Sequence, residues 1–273
     1  MHNRFYIEPA STGLAKVEIS GEEHHHLARV RRMTAGQEVV LLDGKGLSAR
    51  AVIDKVHRDY TELTILERAS AAEPALRIVA AMAVFKPQRM DWAVEKACEL
   101  GVWSVRPFIA ARSPQGAARD LDANAARLER WRRIAVSASK QSGRIFIPVV
   151  NPVVEFEEMI FAATTEVRLL FHEHGKTEDL DAALAGGLQR GRGESCIRPA
   201  ERAITRIAPA NQEEAANAFD VLAAFGPEGG FTDPEIAAAV KAGFTIAGLG
   251  PRVLRAETAI VAGIAIISNK LGE

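Results

Sequence analysis

The stretch Phe225-Gly226-Pro227-Glu228-Gly229-Gly230-Phe231-Thr232-Asp233-Pro234-Glu235 decides the fold class of this chain. It leaves an apolar run, Val221–Phe225, that has the length and composition of a buried strand. It then crosses three glycines in five residues and begins a helix, because Thr232 followed by Glu235 three positions on is a capping-box pattern. A strand that ends in a glycine loop and feeds a helix is the unit from which α/β sheets are built. Such sheets bind ligands outside the carboxyl ends of their strands. Glycine lacks the Cβ that would keep a ligand away from backbone amides. The spacing matches neither G-x-G-x-x-G nor a P-loop, so dinucleotide and ATP readings gain no support. A tight turn that holds no ligand explains the glycine content as well.

The following strand, Thr245–Leu249, repeats the arrangement. It runs into Gly248-Leu249-Gly250-Pro251-Arg252-Val253-Leu254-Arg255-Ala256-Glu257-Thr258-Ala259, which carries two arginines before an apolar closing helix, Glu257–Leu271. Two glycine-bearing loops after neighbouring strands can form two walls of one pocket. Glu257 lies near the helix start, where the helix dipole favours a carboxylate, so capping is its structural alternative.

Toward the N-terminus the alternation continues. Strands are expected at Ile78–Phe85, Val102–Ile109 and Val167–Phe171. Helices are expected at Pro87–Leu100, burying Trp92, Ala93, Ala97 and Leu100, and at Ala123–Ser142, with another at Asp233–Ala242. This predicts an α/β layer with a mostly parallel sheet. Residues 1–70 have a different texture. Short β-rich runs at Arg4–Ile7, Lys16–Ile19, Glu38–Leu42, Ala49–Lys55 and Glu62–Leu66 surround one helix, Glu22–Met33, with Leu27, Val30 and Met33 on its apolar face. That predicts a small barrel. The small-residue and proline stretch 69–74 reads as a linker, which divides the chain into 1–72 and 73–273. Residues 176–218 carry a flexible basic tract, Gly186–Gly193, that reads as a surface insertion or an RNA-contacting loop.

A net charge of −1 over 273 residues hides a strong asymmetry. Residues 77–144 hold 13 basic and 6 acidic side chains, net +7, whereas 145–273 hold 11 and 18, net −7. A basic middle suits a polyanion, and solvated helix faces explain it too. Lys86, Arg89, Arg112 and Arg144 sit at strand ends or helix termini, the usual places for phosphate contacts. Arg127, Arg130, Arg132 and Arg133 also fit an exposed helix face. No run approaches the roughly 18 apolar residues of a membrane span. The N-terminus lacks an apolar secretory core, and Cys98 and Cys196 show no metal-ligand spacing, so a reducing, cytoplasmic setting is expected. His24-His25-His26 cannot converge on one ion from a helix, so a surface or RNA-facing role is expected for them and no metal.

Taken together, several segments resemble the RsmE family of ribosomal RNA methyltransferases, within the SPOUT superfamily. They are His26-Leu27-Ala28-Arg29-Val30-Arg31-Arg32-Met33 with Gly36; Lys86-Pro87-Gln88-Arg89-Met90-Asp91-Trp92 through Val102; Trp131 through Gln141-Ser142-Gly143-Arg144; Gly226–Gly230; and Leu249–Ala259. They occur in the family's order across nearly the whole chain.

The resemblance implies a PUA-like barrel followed by a SPOUT-type α/β domain whose end is threaded into a deep trefoil knot. It also implies a homodimer that transfers a methyl group from S-adenosyl-L-methionine to N3 of a uridine in 16S ribosomal RNA, with the small ribosomal subunit as the expected setting. The cofactor is then expected on His172, Gly226, Pro227, Glu228, Gly229, Gly230, Leu249, Gly250, Val253, Leu254 and Arg255. Arg255 is expected to stabilise the anionic base, with Glu257 or Glu228 taking the N3 proton. RNA contacts are expected from Arg4, Arg29, Arg32, Lys86, Arg89, Arg112, Lys140 and Arg144. The chain departs from the family pattern at Ala256, where many relatives have threonine, which removes a hydroxyl from the second loop. A SPOUT ribose 2′-O-methyltransferase and a non-catalytic ribosome-assembly factor are the alternatives.

Overall fold

Alternating apolar residues in the first 70 positions place every second side chain against a common core, as a half-buried strand requires. In the computed structural model, which describes residues 3–8, 11, 13–114, 121–161, 165–173, 178–184 and 219–272, the chain forms two units. One comprises Met1–Glu73 with Ser139–Ile147, the other Pro74–Ala138 with Pro148–Glu273.

The first unit is a five-stranded sheet in the order β1-β3-β4-β5-β2. Its strands are β1 (Arg4–Tyr6), β2 (Lys16–Ser20), β3 (Glu38–Leu42), β4 (Leu47–Val56) and β5 (Tyr60–Ser70). β1 pairs parallel with β3, and the remaining pairs are antiparallel. Among the described residues no β1–β2 pairing closes the sheet. Val17 and Ile19, Val39 and Leu41, and Ala51 and Ile53 point into one core with Phe5 and Leu63. Because β5 runs to Ser70, the linker begins later than the sequence suggests.

The helix of this unit departs from a regular α-helix. Its α-helical turn α1 (Gly21–His25) widens into a π-helical turn at His26–Val30, where Arg31 N donates to His26 O at 2.9 Å. Leu27 and Met33 are buried as expected, but Val30 is 61% exposed. The i→i+5 turn advances less per residue than an α-turn and carries Val30 off the Leu27 face. The histidines diverge. His24 is a core residue rather than a surface one, its ring nitrogens 2.9 Å from Thr61 Oγ1 and 3.1 Å from Arg58 O. His25 is exposed, and His26 packs edge-on against Phe5.

Ser139–Ile147 completes this unit at the β3–β4 turn. Asp43 Oδ1 accepts from Lys45 N and Leu47 N at 2.7 and 2.9 Å, an Asx-type turn. Ile147 N donates to Gly44 O at 2.9 Å. A Cβ on Gly44, whose φ is +71°, would stand 2.5 Å from Ile147 Cδ1.

The second unit is built on a parallel sheet in the order β11-β13-β10-β12-β6-β7-β8, with β9 pairing to β7. Its strands are β6 (Leu76–Ala83), β7 (Ser104–Ile109), β8 (Val149–Val150), β9 (Val154–Glu155), β10 (Val167–Phe171), β11 (Glu178–Asp179), β12 (Phe219–Phe225) and β13 (Thr245–Gly248). β6 shows why the sheet is buried on both sides: Ile78, Ala80 and Met82 face one core, while Val79, Ala81 and Ala83 face another. The first core is closed by α2 (Pro87–Glu99), α3 (Leu121–Ser142) and α6 (Ala256–Leu271), the second by α4 (Phe156–Phe161) and α5 (Asp233–Lys241). On α2 the buried stripe is Met90, Ala93, Val94, Ala97 and Cys98. Trp92 lies off that stripe and is 42% exposed, contrary to expectation. On α6, Ile260, Ile264 and Ile267 are core. The tract Gly186–Gly193 lies outside the described residues.

Candidate cofactor pocket

β10 lies between β13 and β12, and all three are parallel, so their carboxyl ends open on the same side. Phe171 pairs in register with both Phe225 and Ala247. The segments that follow, 172–173, 226–230 and 248–255, therefore leave the sheet at one level. His172 N donates to Ala247 O at 3.1 Å and joins two of them. The Phe171 and Phe225 rings stack with centroids 4.7 Å apart, and Gly263 of α6 leaves room for the pair.

A cavity of about 360 Å³ lies above these ends, within the range of about 300–1,000 Å³ common for small-molecule sites. Of the candidate residues, His172, Gly226, Pro227, Glu228, Gly230, Leu249, Gly250, Val253, Leu254 and Arg255 line it. So do Phe171, Glu173, Phe231, Ala247, Arg252, Ala256 and Ala259, which are not among the cofactor residues expected from the sequence. Phe171 ends β10 one position before His172, which was the signal available for it. Arg89, assigned from sequence to RNA, also lines the cavity, whereas Gly229 and Glu257 do not.

The 226–230 loop closes on itself through Gly230 N donating to Pro227 O at 2.9 Å. Thr232 caps α5 as the sequence indicated. Its N and Oγ1 both donate to Glu235 Oε2 at 2.8 Å, and Glu235 Oε1 accepts from Ala111 N at 2.8 Å. In the second loop, the amides of Gly250, Val253 and Leu254 have no acceptor among the described residues. Arg255 is the N-cap of α6 in an extended conformation, without a side-chain cap. Its guanidinium makes no ion pair or hydrogen bond among the described residues.

Arg89, at the start of α2, is differently placed. Its Nη1 donates to Glu228 Oε1 at 2.8 Å, and its Nε is 3.8 Å from Glu257 Oε1. Lys86 Nζ approaches Glu228 Oε2 at 3.9 Å. Glu257 Oε2 is buried without a hydrogen-bond partner among the described residues, and Glu257 is not among the residues that line the cavity. Arg112 Nη1 donates to Gly229 O at 2.7 Å.

The other RNA candidates belong to the first unit. Arg4, Arg29 and Arg32 are exposed, and Arg32 has a φ of +52°. Lys140 pairs with Glu23 and lies over the Tyr6 ring. Arg144 contributes its carbonyl, which accepts from Tyr6 Oη at 2.8 Å. Burial pushes the Tyr6 phenol up to about 12, against the pull of Arg144 and Arg4.

The family model described as RNA methyltransferase domain matches residues 72–268, and that described as RNA methyltransferase PUA domain matches residues 19–66. This chain belongs to the RNA methyltransferase family. A curated relative from Bacillus subtilis, Ribosomal RNA small subunit methyltransferase E, is 27% identical, with 97% of this chain and 95% of the relative covered. The solved Ribosomal RNA small subunit methyltransferase E of Neisseria gonorrhoeae, bound to S-adenosyl methionine, is 27% identical. It superposes with a TM-score of 0.78 over 99% of this chain and 98% of its own. A methyltransferase from Legionella pneumophila, solved with bound SAM, gives 26% identity, a TM-score of 0.79 and the same coverage. The match over residues 72–268 covers most of the parallel-sheet unit and its cavity, and the match over residues 19–66 lies within the five-stranded unit.

Proposed function

We propose that this chain transfers the methyl group of S-adenosylmethionine to N3 of a uridine in small-subunit ribosomal RNA. The observation that carries this reading is the convergence of the two glycine-bearing loops on one cavity, in a chain that aligns over nearly its full length with a relative holding that cofactor. The lining suits the molecule. Phe171, Leu249 and Leu254 offer apolar surface for an adenine ring, the amides of Gly250, Val253 and Leu254, without acceptors among the described residues, suit its polar edge, and Glu173 and Glu228 suit a cationic methionine moiety.

When bound, the cofactor supplies a methyl group activated by a sulfonium. The residues of this chain supply orientation and charge. Uracil N3 must lose its proton before its lone pair can attack. Glu228 is the candidate carboxylate at the cavity wall, with water as the other acceptor. Arg255, which lines the cavity and has no partner among the described residues, is placed to face the negative charge that develops on the ring. Glu257 acts only through Arg89 in this reading, because it does not reach the cavity. N3 lies on the Watson–Crick edge, so the target uridine is unpaired or turned out of its stack. Arg4, Arg29 and Arg32 are the exposed cations of the first unit for RNA phosphates. The trefoil knot, the homodimer, the assembled small subunit as substrate and a cytoplasmic setting belong to the same proposal. Among the described residues, no helix is long and apolar enough to cross a membrane.

The test is methyl transfer from labelled S-adenosylmethionine to small ribosomal subunits that lack RNA modifications, followed by nucleoside analysis. Labelled 3-methyluridine is the expected product. A ribose-methylated nucleoside would sink the N3 assignment. An absence of cofactor binding by calorimetry would favour a non-catalytic assembly factor.

A further inference from the structure

Arg89 and Arg112 read from sequence as phosphate contacts, yet both are already occupied, and on the same loop. Arg89 reaches Glu228 at 2.8 Å from one side of the 226–230 loop, and Arg112 reaches Gly229 O at 2.7 Å from another. Each arginine is itself anchored. Glu257, in the first turn of α6 and with its Oε2 buried, has its Oε1 3.8 Å from Arg89 Nε. Glu235, buried in the first turn of α5, accepts the amide of Ala111 next to Arg112 at 2.8 Å. The loop is shaped to receive this grip, since a Cβ on Gly229 would stand only 3.2 Å from Arg112 Cδ and 3.3 Å from its Cβ.

We propose that Arg89 and Arg112 are positioning residues that clamp the 226–230 loop in the conformation that receives the cofactor, and that neither is an RNA phosphate contact. The Arg89 guanidinium faces two carboxylates and has little unbalanced charge for a polyanion, and for either arginine a phosphate contact would compete with a charge-assisted hydrogen bond to the loop. The carbonyl of Gly229 turns toward Arg112, which fixes the peptide planes on either side and so the direction of neighbouring amides. Arg112 acts through the loop backbone and Arg89, which also lines the cavity, through its hold on Glu228; a preorganised loop binds more tightly because less ordering is left to be done on binding. This rests on the assignment of the cavity to S-adenosylmethionine.

Calorimetric titration of S-adenosylmethionine into the full chain tests the clamp, beside binding of a small-subunit ribosomal RNA fragment across a salt series. Arg89→Ala and Arg112→Ala are each expected to weaken cofactor binding by about tenfold, with RNA affinity and its salt slope unchanged. Arg89→Lys and Arg112→Lys guard against loss of folding. Lysine serves a phosphate as a point charge but does not reproduce the planar fork of a guanidinium, so these variants should keep RNA affinity and remain weak for the cofactor. Unchanged cofactor affinity in the alanine variants, with RNA affinity lowered and the salt slope reduced by about one, overturns the clamp and restores both residues to phosphate binding. A wild-type chain that binds no S-adenosylmethionine overturns instead the assignment of the cavity on which the clamp rests.

Discussion

Three glycines within five residues of the 226–230 loop answer to three different physical demands. Gly226 makes room for the Phe231 ring, since a Cβ there would stand 3.0 Å from it; Gly229 makes room for Arg112; and Gly230 adopts a φ of +70°. From sequence all three read as a surface for ligand amides, because a glycine does not announce which neighbour needs the space. Gly263 shows the same effect in a helix, where nothing in the pattern marks it. A Cβ there would stand 2.8 Å from Phe225 and 3.2 Å from Phe171, the stacked pair under the cavity. Gly263→Ala should therefore destabilise the chain by about 1–3 kcal/mol despite the better helix propensity of alanine, as thermal melts would show. Arg255 differs from Arg89 in having no partner among the described residues. Arg255→Ala should lower kcat by about a hundredfold and leave S-adenosylmethionine affinity within about threefold, which single-turnover kinetics and calorimetry would separate. Equal losses in both would reassign Arg255 to cofactor binding.

Elements with a clean period were legible, and the misreadings fall where the period changes or the stripe is narrow. The π-turn at His26–Val30 moved Val30 to the surface, and no composition rule marks a π-turn in advance. On α2, Trp92 is expected in the core with Ala93, Ala97 and Leu100, but the stripe through Ala93 and Ala97 runs to Met90 and Val94 instead. β1 and the end of α3 meet through Tyr6, whose hydroxyl donates to Arg144 O at 2.8 Å. The folded phenol is raised from 10.0 to about 12, so its contribution is full below pH 10 and is lost as the pH rises toward 12. Melting temperatures of the wild type and Tyr6→Phe, followed from pH 8 upward, should show a gap of about 1 kcal/mol at pH 8 that shrinks above pH 10 and changes sign as the pH approaches 12. A gap independent of pH would mean that Tyr6 titrates alike in both states.

At the scale of the whole molecule, the sequence suggests a single cut near residue 72. The structure shows instead that the chain leaves the first unit and returns to it at Ser139–Ile147. That return depends on the glycine turn after β3. Gly44→Ala should cost about 1 kcal/mol or more, since a left-handed backbone and the Ile147 side chain both oppose the added methyl. Hydrogen exchange should then quicken in the β3–β4 hairpin and at residue 147, and unchanged protection there would remove the glycine from that role.

What the sequence determined by itself was whatever depends on near neighbours. This includes the alternation of strand and helix, the capping box at Thr232 and Glu235, and the two glycine loops that end strands. These follow from backbone geometry and hydrophobic period over a few residues. The ordered motifs of a known family added the chemistry. Only the tertiary structure decided which carboxylates the arginines meet, because Arg89 and Glu228 lie 139 positions apart. It also decided that β13 falls beside β10 and that residues 139–147 rejoin the first unit. Such pairings are set by how whole elements pack, and a charge carries no local mark of its distant partner.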